Sequence, residues 1–402
     1  MSEQLSTPES LTSNASLPQV PERRSHDPAV RQAPGSKASG RGVRGHIPEL
    51  DGLRGIAILL VLAWHYWQWT GAVVQGGWLG VDLFFVLSGF LITGILLETR
   101  NKPGYFRNFY ARRVLRIFPL YYGYLTLLFL SYWMFRTGPD ASQMLETAGS
   151  PVWYYAYLTN FVTAFREPRI PLVLGHLWSL AVEEHFYLLF PLLVYRLSHR
   201  QLAYTLAGMI VLAIVVRFGL LLAVPEHPMA QHHLTPARMD TLALGALCAI
   251  LARSRHADRV QAWSTILLIL AAGCLLGLWM LTGGLRYEDV LMRTVGFSIA
   301  GVAFSLVLIG VLAKRDTRLT APLRNPVLRY IGMVSYGIYV LHIFVGAVTR
   351  KALTLVGVPY TLGTGLSVLY TLLAIGAASV SWYLFEKRIL RLKRYFESPA
   401  HP

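Results

Sequence analysis

Charge is scarce in this chain: 14% of its 402 residues are Asp, Glu, Lys or Arg, against about 25% in an average soluble domain. That shortage excludes an ordinary water-soluble globule. Cysteine is nearly missing as well. Cys248 and Cys274 are the whole complement; both lie in apolar stretches, so no disulfide framework can form and the two are read as small packing residues. No glycine-rich phosphate loop, no Cys-x-x-Cys pair and no His-Glu-x-x-His helix occurs, which removes three common chemistries from consideration. His232 and His233, beside His227, have no matching carboxylate or thiolate in their loop, so no metal is expected. Acidic residues are the rarer sign, 21 against 37 basic ones, for a formal net charge of +16. The excess sits mainly in short segments between apolar runs, the positive-inside pattern; lipid, and no nucleic acid, is the partner this implies.

What the chain does have is hydrocarbon: 54% of residues are hydrophobic and the mean hydropathy is +0.45. Runs such as 202–224, 263–281 and 295–312 are long enough, or nearly so, to cross a core about 30 Å thick. The fold class is therefore all-α, a polytopic membrane protein. Ten spans give a consistent reading, at 50–69, 78–97, 116–135, 176–195, 202–224, 239–251, 263–281, 290–312, 327–348 and 361–385. Between them, Arg100 to Arg113, Arg196 to Arg200, Arg253 to Arg259, Lys314 to Arg318 and Lys387 to Arg394 all fall on the cytosolic side, with both termini. The connection 136–175 lies outside, and its aromatic part 151–165 is read as interfacial. Span six, only thirteen residues, is expected to be broken or to line a cavity. Residues 1–47, rich in Ser, Pro, Gln, Gly and Arg, bury too little apolar surface to offset the entropy of folding and are read as a disordered cytosolic tail. The transmembrane domain is then 48–390 and a short cytosolic tail 391–402.

Within the first span, Arg54 and His65 stand eleven residues apart. At 100° per residue they share a helix face to within about 20°, with roughly 16 Å between them along the axis. Ionisable groups inside an apolar span are costly and are functional candidates by default.

Five segments in order, ELDGLRGIAILLVLAWHY, GVDLFFVLSGFLIT, YARRVLRIFPLYY, HLWSLAVEEHFYLLFP and VSYGIYVLH, resemble the membrane-bound acyltransferase-3 family, over roughly 47–390. The resemblance implies about ten spans, a bacterial cytoplasmic (inner) membrane and O-acylation of extracytoplasmic glycans or secreted small molecules. It also implies an acyl-CoA, with acetyl-CoA the default, as donor substrate, and no tightly bound cofactor. On this chain His65 matches the family's essential histidine and Arg54 the arginine before it. Arg113 and Arg116 match the paired basic motif, and Trp178, Ser179 and Glu183 the tryptophan-serine-leucine and glutamate element. His185 departs from the glutamine usual there.

Moving an acyl group from thioester to hydroxyl needs a base and donors to the oxyanion. His65 suits the base; Asp82 or Glu183 is expected to hold its second nitrogen. Arg113 and Arg116, three apart on one helix face, suit the phosphates of the donor, with Arg54 as a further contact. Ser335, Tyr339 and His342 form a polar stripe expected to face the reaction cavity, and Tyr339 and His342 with Trp178, Ser179 and His185 make up the expected substrate surface. Gly80, Gly89 and Gly94 would permit close helix approach or leave room for a pantetheine arm. Arg217 is a conceivable partner for Glu183, and Arg238 and Asp240 for one another. The rival class is a multipass transporter or permease of a small molecule or lipid-linked sugar, which intramembrane Arg and His and a broken span also fit.

Overall fold

The computed structural model describes residues 46–67, 70–134, 146–166, 169–358 and 363–396. It is 84% helical, without strands among those residues. The expected tail 1–47 lies outside them except for His46 and Ile47, as do Trp69, Phe135 and Thr361 at the expected ends of three spans. Nine helical segments among the described residues are long and apolar enough to cross a membrane. A tenth, α1 (Pro48–Tyr66), is 19 residues long and carries Glu49, Asp51 and Arg54 in its first two turns. These ten stand where the apolar runs require them.

The other principal helices are α2 (Gly80–Thr99), α3 (Tyr105–Met134), α4 (Trp178–Arg196), α5 (His199–Ala223), α6 (Pro228–His233), α7 (Thr235–Leu251), α8 (Ser264–Leu281), α9 (Phe297–Ala313), α10 (Pro326–Met333), α11 (Ser335–Leu355) and α12 (Thr364–Ser381). The short span six resolves as a broken pair, α6 then α7. Leu234 between them is extended, and Pro236 occupies the first turn of α7, where its missing N–H costs nothing. Span nine is also broken, at Val334 between α10 and α11. The α3 helix runs for 30 residues, so Arg107, Arg112 and Arg113 stand on its first turns and not in a loop; arginine is a good helix former. The aromatic stretch expected at the interface forms two short helices, Val152–Tyr155 and Thr159–Arg166, neither long enough to cross.

One end of the bundle gathers the basic segments. Arg324 donates to Glu49 at 2.9 Å, Arg253 to Glu98 at 2.6 Å and Arg100 to the Tyr195 carbonyl at 2.9 Å. Where helices touch, glycine sets the distance. A Cβ on Gly89 would strike the Leu242 carbonyl, and one on Gly245 the Val86 carbonyl, so α2 and α7 meet backbone to backbone. Gly80 likewise meets the Ala57 carbonyl, and a Cβ on Gly94 would lie 2.7 Å from the Arg253 guanidinium. Gly80 and Gly89 are therefore spent on backbone packing, while Gly94 lies with Asp51, Arg54 and Arg253 in the lining of a smaller cavity.

Two fully buried ion pairs lock the interior: Arg238 donates to Asp82 at 2.6 Å and Arg217 to Asp240 at 2.9 Å. Each buried cation thus pairs with a carboxylate from another helix. Arg217 also donates to the Thr294 and Ala237 carbonyls, both at 2.6 Å, and to the Ser298 hydroxyl. Arg238 stacks 4.0 Å from the Phe297 ring centre. A buried charge is tolerable only when paired in this way.

Candidate active site

A cavity of 360 Å³ opens between α1, α2, α3, α4 and the α10–α11 break. The paired motif on α3 and the arginine on α1 all reach it: Arg54, Arg113 and Arg116 are among its walls. None of the three has an ion-pair partner among the described residues, and the Arg54 Nε is buried without a hydrogen bond. Aromatic rings support two of them instead. Arg113 lies 5.8 Å from the Tyr187 ring centre and Arg116 5.7 Å from that of Trp382, contacts that hold a guanidinium while leaving its N–H groups free. Glu183 on α4 faces the same space and accepts a hydrogen bond from Ser88 at 2.5 Å.

The far wall is polar but neutral. Ser179, Ser335 and Tyr339 line it. The Tyr339 hydroxyl donates to the His176 carbonyl at 2.7 Å and meets the Ser179 hydroxyl at 2.5 Å. Since the tyrosine's one proton goes to a carbonyl, Ser179 donates to Tyr339. The Ser335 hydroxyl is buried and has no partner.

Behind that wall three imidazoles pack in a row. The rings of His65 and His342 are 4.7 Å apart, and those of His342 and His176 5.3 Å. His65 Nδ1 lies 2.9 Å from the Val61 carbonyl oxygen one turn back. A carbonyl only accepts, so Nδ1 carries the proton and Nε2 keeps its lone pair. His342 Nδ1 makes the equivalent contact with the Tyr339 carbonyl at 2.7 Å, and its Nε2 is buried without a partner. His65 itself is only partly buried. Arg54 reaches the cavity directly, whereas the His65 ring stands beyond Tyr339 and His342.

Several expected roles change with this geometry. The acceptor that orients His65 is a backbone carbonyl, and neither Asp82 nor Glu183 bonds to it. Asp82 is committed to Arg238, and Glu183 to the cavity and Ser88 instead of Arg217. Arg238 and Asp240 each take a different partner from the one their nearness in sequence suggested. His185 lies 2.7 Å from the Thr235 hydroxyl and against Phe161, outside the cavity. Trp178 turns away too, packing on Phe85, His232 and His233. No group of three or more potential metal-ligating residues occurs among the described residues. The site or its wall also takes in His176, Tyr187, Tyr336 and Lys393, which the sequence pattern does not single out, and Ser88, whose place in GVDLFFVLSGFLIT suggests helix packing. His176 opens the HLWSL segment and Tyr336 follows Ser335, so adjacency to a motif was the available signal. Nothing in the sequence marked Lys393 among its basic neighbours.

Comparison with known proteins agrees with this arrangement. Residues 47–386 match a family model described as an acyltransferase domain. The chain is 30% identical over 328 residues to the peptidoglycan O-acetyltransferase OatA of Listeria monocytogenes, covering 76% of this chain and 50% of that protein. It is 29% identical over 312 residues to the O-acetyltransferase OatA of Staphylococcus aureus, with 74% and 50% covered. The aligned region thus spans about half the length of these relatives. No solved structure matches. The five ordered motifs, the helical membrane architecture and a family match running from α1 to the end of the last span make this chain a member of the acyltransferase-3 family.

Proposed function

We propose that the protein is a membrane O-acetyltransferase that takes acetyl from acetyl-CoA on the cytosolic side and gives it to a hydroxyl of an extracytoplasmic glycan such as peptidoglycan. The observation that carries this reading is the set of three guanidiniums, Arg54, Arg113 and Arg116, which outnumber the carboxylates Asp51 and Glu183 in one cavity wall and form no direct ion pair among the described residues. Charges so placed call for an anionic ligand, and planar guanidiniums hold phosphate oxygens in pairs. Coenzyme A brings phosphates at one end and the thioester at the other, which matches a cavity that is cationic near the cytosolic helix ends and neutral toward Tyr339. The names of the OatA relatives supply acetyl and peptidoglycan as the groups concerned.

In the reaction, the acceptor hydroxyl approaches His65 from the outer side and gives its proton to Nε2 as its oxygen attacks the thioester carbonyl. The Val61 carbonyl fixes the tautomer that makes Nε2 the base. Ser335, the one cavity hydroxyl whose hydrogen is not already engaged, serves as a donor to the developing oxyanion. The carbon–sulfur bond then breaks, and the imidazolium returns its proton to the departing thiolate. The Tyr339 and His342 side chains must turn aside for thioester and imidazole to meet.

Replacing Arg113 or Arg116 by Gln removes charge from the donor wall only. The KM for acetyl-CoA is expected to rise about tenfold for each, the value of a charge-assisted hydrogen bond, with kcat little changed. Initial rates across a donor titration check this, and an unaltered KM in both variants would remove the cavity as the donor site.

A further inference from the structure

The chain after the last span carries Lys387, Arg388, Arg391, Lys393 and Arg394. Cations that merely anchor topology stay in water, and four of these do: Lys387, Arg388, Arg391 and Arg394 are exposed. Lys393 is different. The short 3-10 turn Arg391–Phe396 folds back against α3, and Lys393 is half-buried there as part of the cavity wall. Four cations, Arg54, Arg113, Arg116 and Lys393, thereby face two carboxylates, Asp51 and Glu183. Asp51 already meets His46 at 2.7 Å, and Glu183 accepts from Ser88. The segment read from sequence as a cytosolic tail is thus a wall of the site.

Position and chemistry together say which part of a donor this lysine would meet. Lys393 comes from beyond the cytosolic end of the last span, while the neutral wall at Tyr339 leads toward His65. A donor lying with its thioester inward puts the far end of coenzyme A, the adenosine 3′-phosphate, at the cytosolic mouth. A guanidinium pair suits the pyrophosphate, two linked groups offering oxygens in pairs. A lysine ammonium is a compact charge with three rotatable donors, suited to a terminal phosphate monoester. Resting on the donor reading above, we propose that Lys393 recognises the 3′-phosphate of coenzyme A and makes the enzyme select the full coenzyme over its 3′-dephospho form.

Equilibrium binding of coenzyme A and 3′-dephospho-coenzyme A to the full chain in lipid nanodiscs tests this without an acceptor. Wild type is expected to bind coenzyme A about tenfold more tightly than the dephospho form. Lys393→Ala should bring the two affinities to within about twofold by weakening coenzyme A alone, and Lys393→Arg should restore part of the preference. A preference that survives Lys393→Ala, or equal binding of both ligands by wild type, overturns the assignment while leaving the donor site standing. Wild type that binds neither ligand removes the donor site itself. An equal loss of affinity for both ligands in Lys393→Ala would mark the residue as structural and overturn its selective role.

Discussion

Asp82, fully buried, and Glu183, partly buried, show how differently two carboxylates can be employed on neighbouring helices. Glu183 faces the cavity; Asp82 neutralises Arg238, with both side chains fully buried. Removing one partner of such a pair leaves an uncompensated charge, so Asp82→Asn is expected to cost about 3–5 kcal/mol of stability. Thermal unfolding in detergent measures this, and the double change Asp82→Asn with Arg238→Met should recover much of the loss. A variant that melts normally yet transfers no acetyl would instead return Asp82 to the catalytic machinery. At this scale His65 and Arg54 stand out as ionisable groups inside an apolar run, and Arg113 and Arg116 through their match to the paired basic motif at the start of the third span. The pairing of Asp82 with Arg238 was not legible. They are 156 residues apart, and only the packing of α2 on α7 brings them together. The same limit hid the partner of His65: its nearest acceptor is the carbonyl one turn back, a group every helix offers.

The ten long helices follow from apolar runs and the basic segments that separate them. Their breaks were harder. Val334 sits within otherwise continuous helical signal, and its break lies where α10 and α11 line the cavity, whereas Pro236 marks the break at Leu234. Contact distance between elements is set by small residues, as between α2 and α7. Gly89→Leu puts side-chain atoms where the Leu242 carbonyl stands. Overpacking of this kind costs about 1–3 kcal/mol and shifts backbone, so the variant is expected to unfold at lower temperature than wild type. An unchanged melting temperature would show that α2 and α7 can part without cost. The short turn Arg391–Phe396 has the composition of a topology anchor; what distinguishes Lys393 is packing against α3 that local sequence does not encode.

Taken whole, the molecule is asymmetric along its helix axes. Its basic end holds a cavity rich in unpaired guanidiniums, and its interior carries a row of imidazoles reached past Tyr339. That polarity suits a reaction whose two substrates arrive from opposite compartments. A transporter would need a path wide enough for its cargo, whereas acyl transfer needs only that a thioester and a hydroxyl reach one basic nitrogen. The decisive measurement is transfer of labelled acetyl from acetyl-CoA to peptidoglycan fragments by the full chain in nanodiscs, compared between wild type and His65→Ala, with coenzyme A binding measured on both. The expected result is a fall in transfer of at least about 100-fold with coenzyme A affinity retained. Transfer by His65→Ala at the wild-type rate would contradict the assignment of His65 as the base.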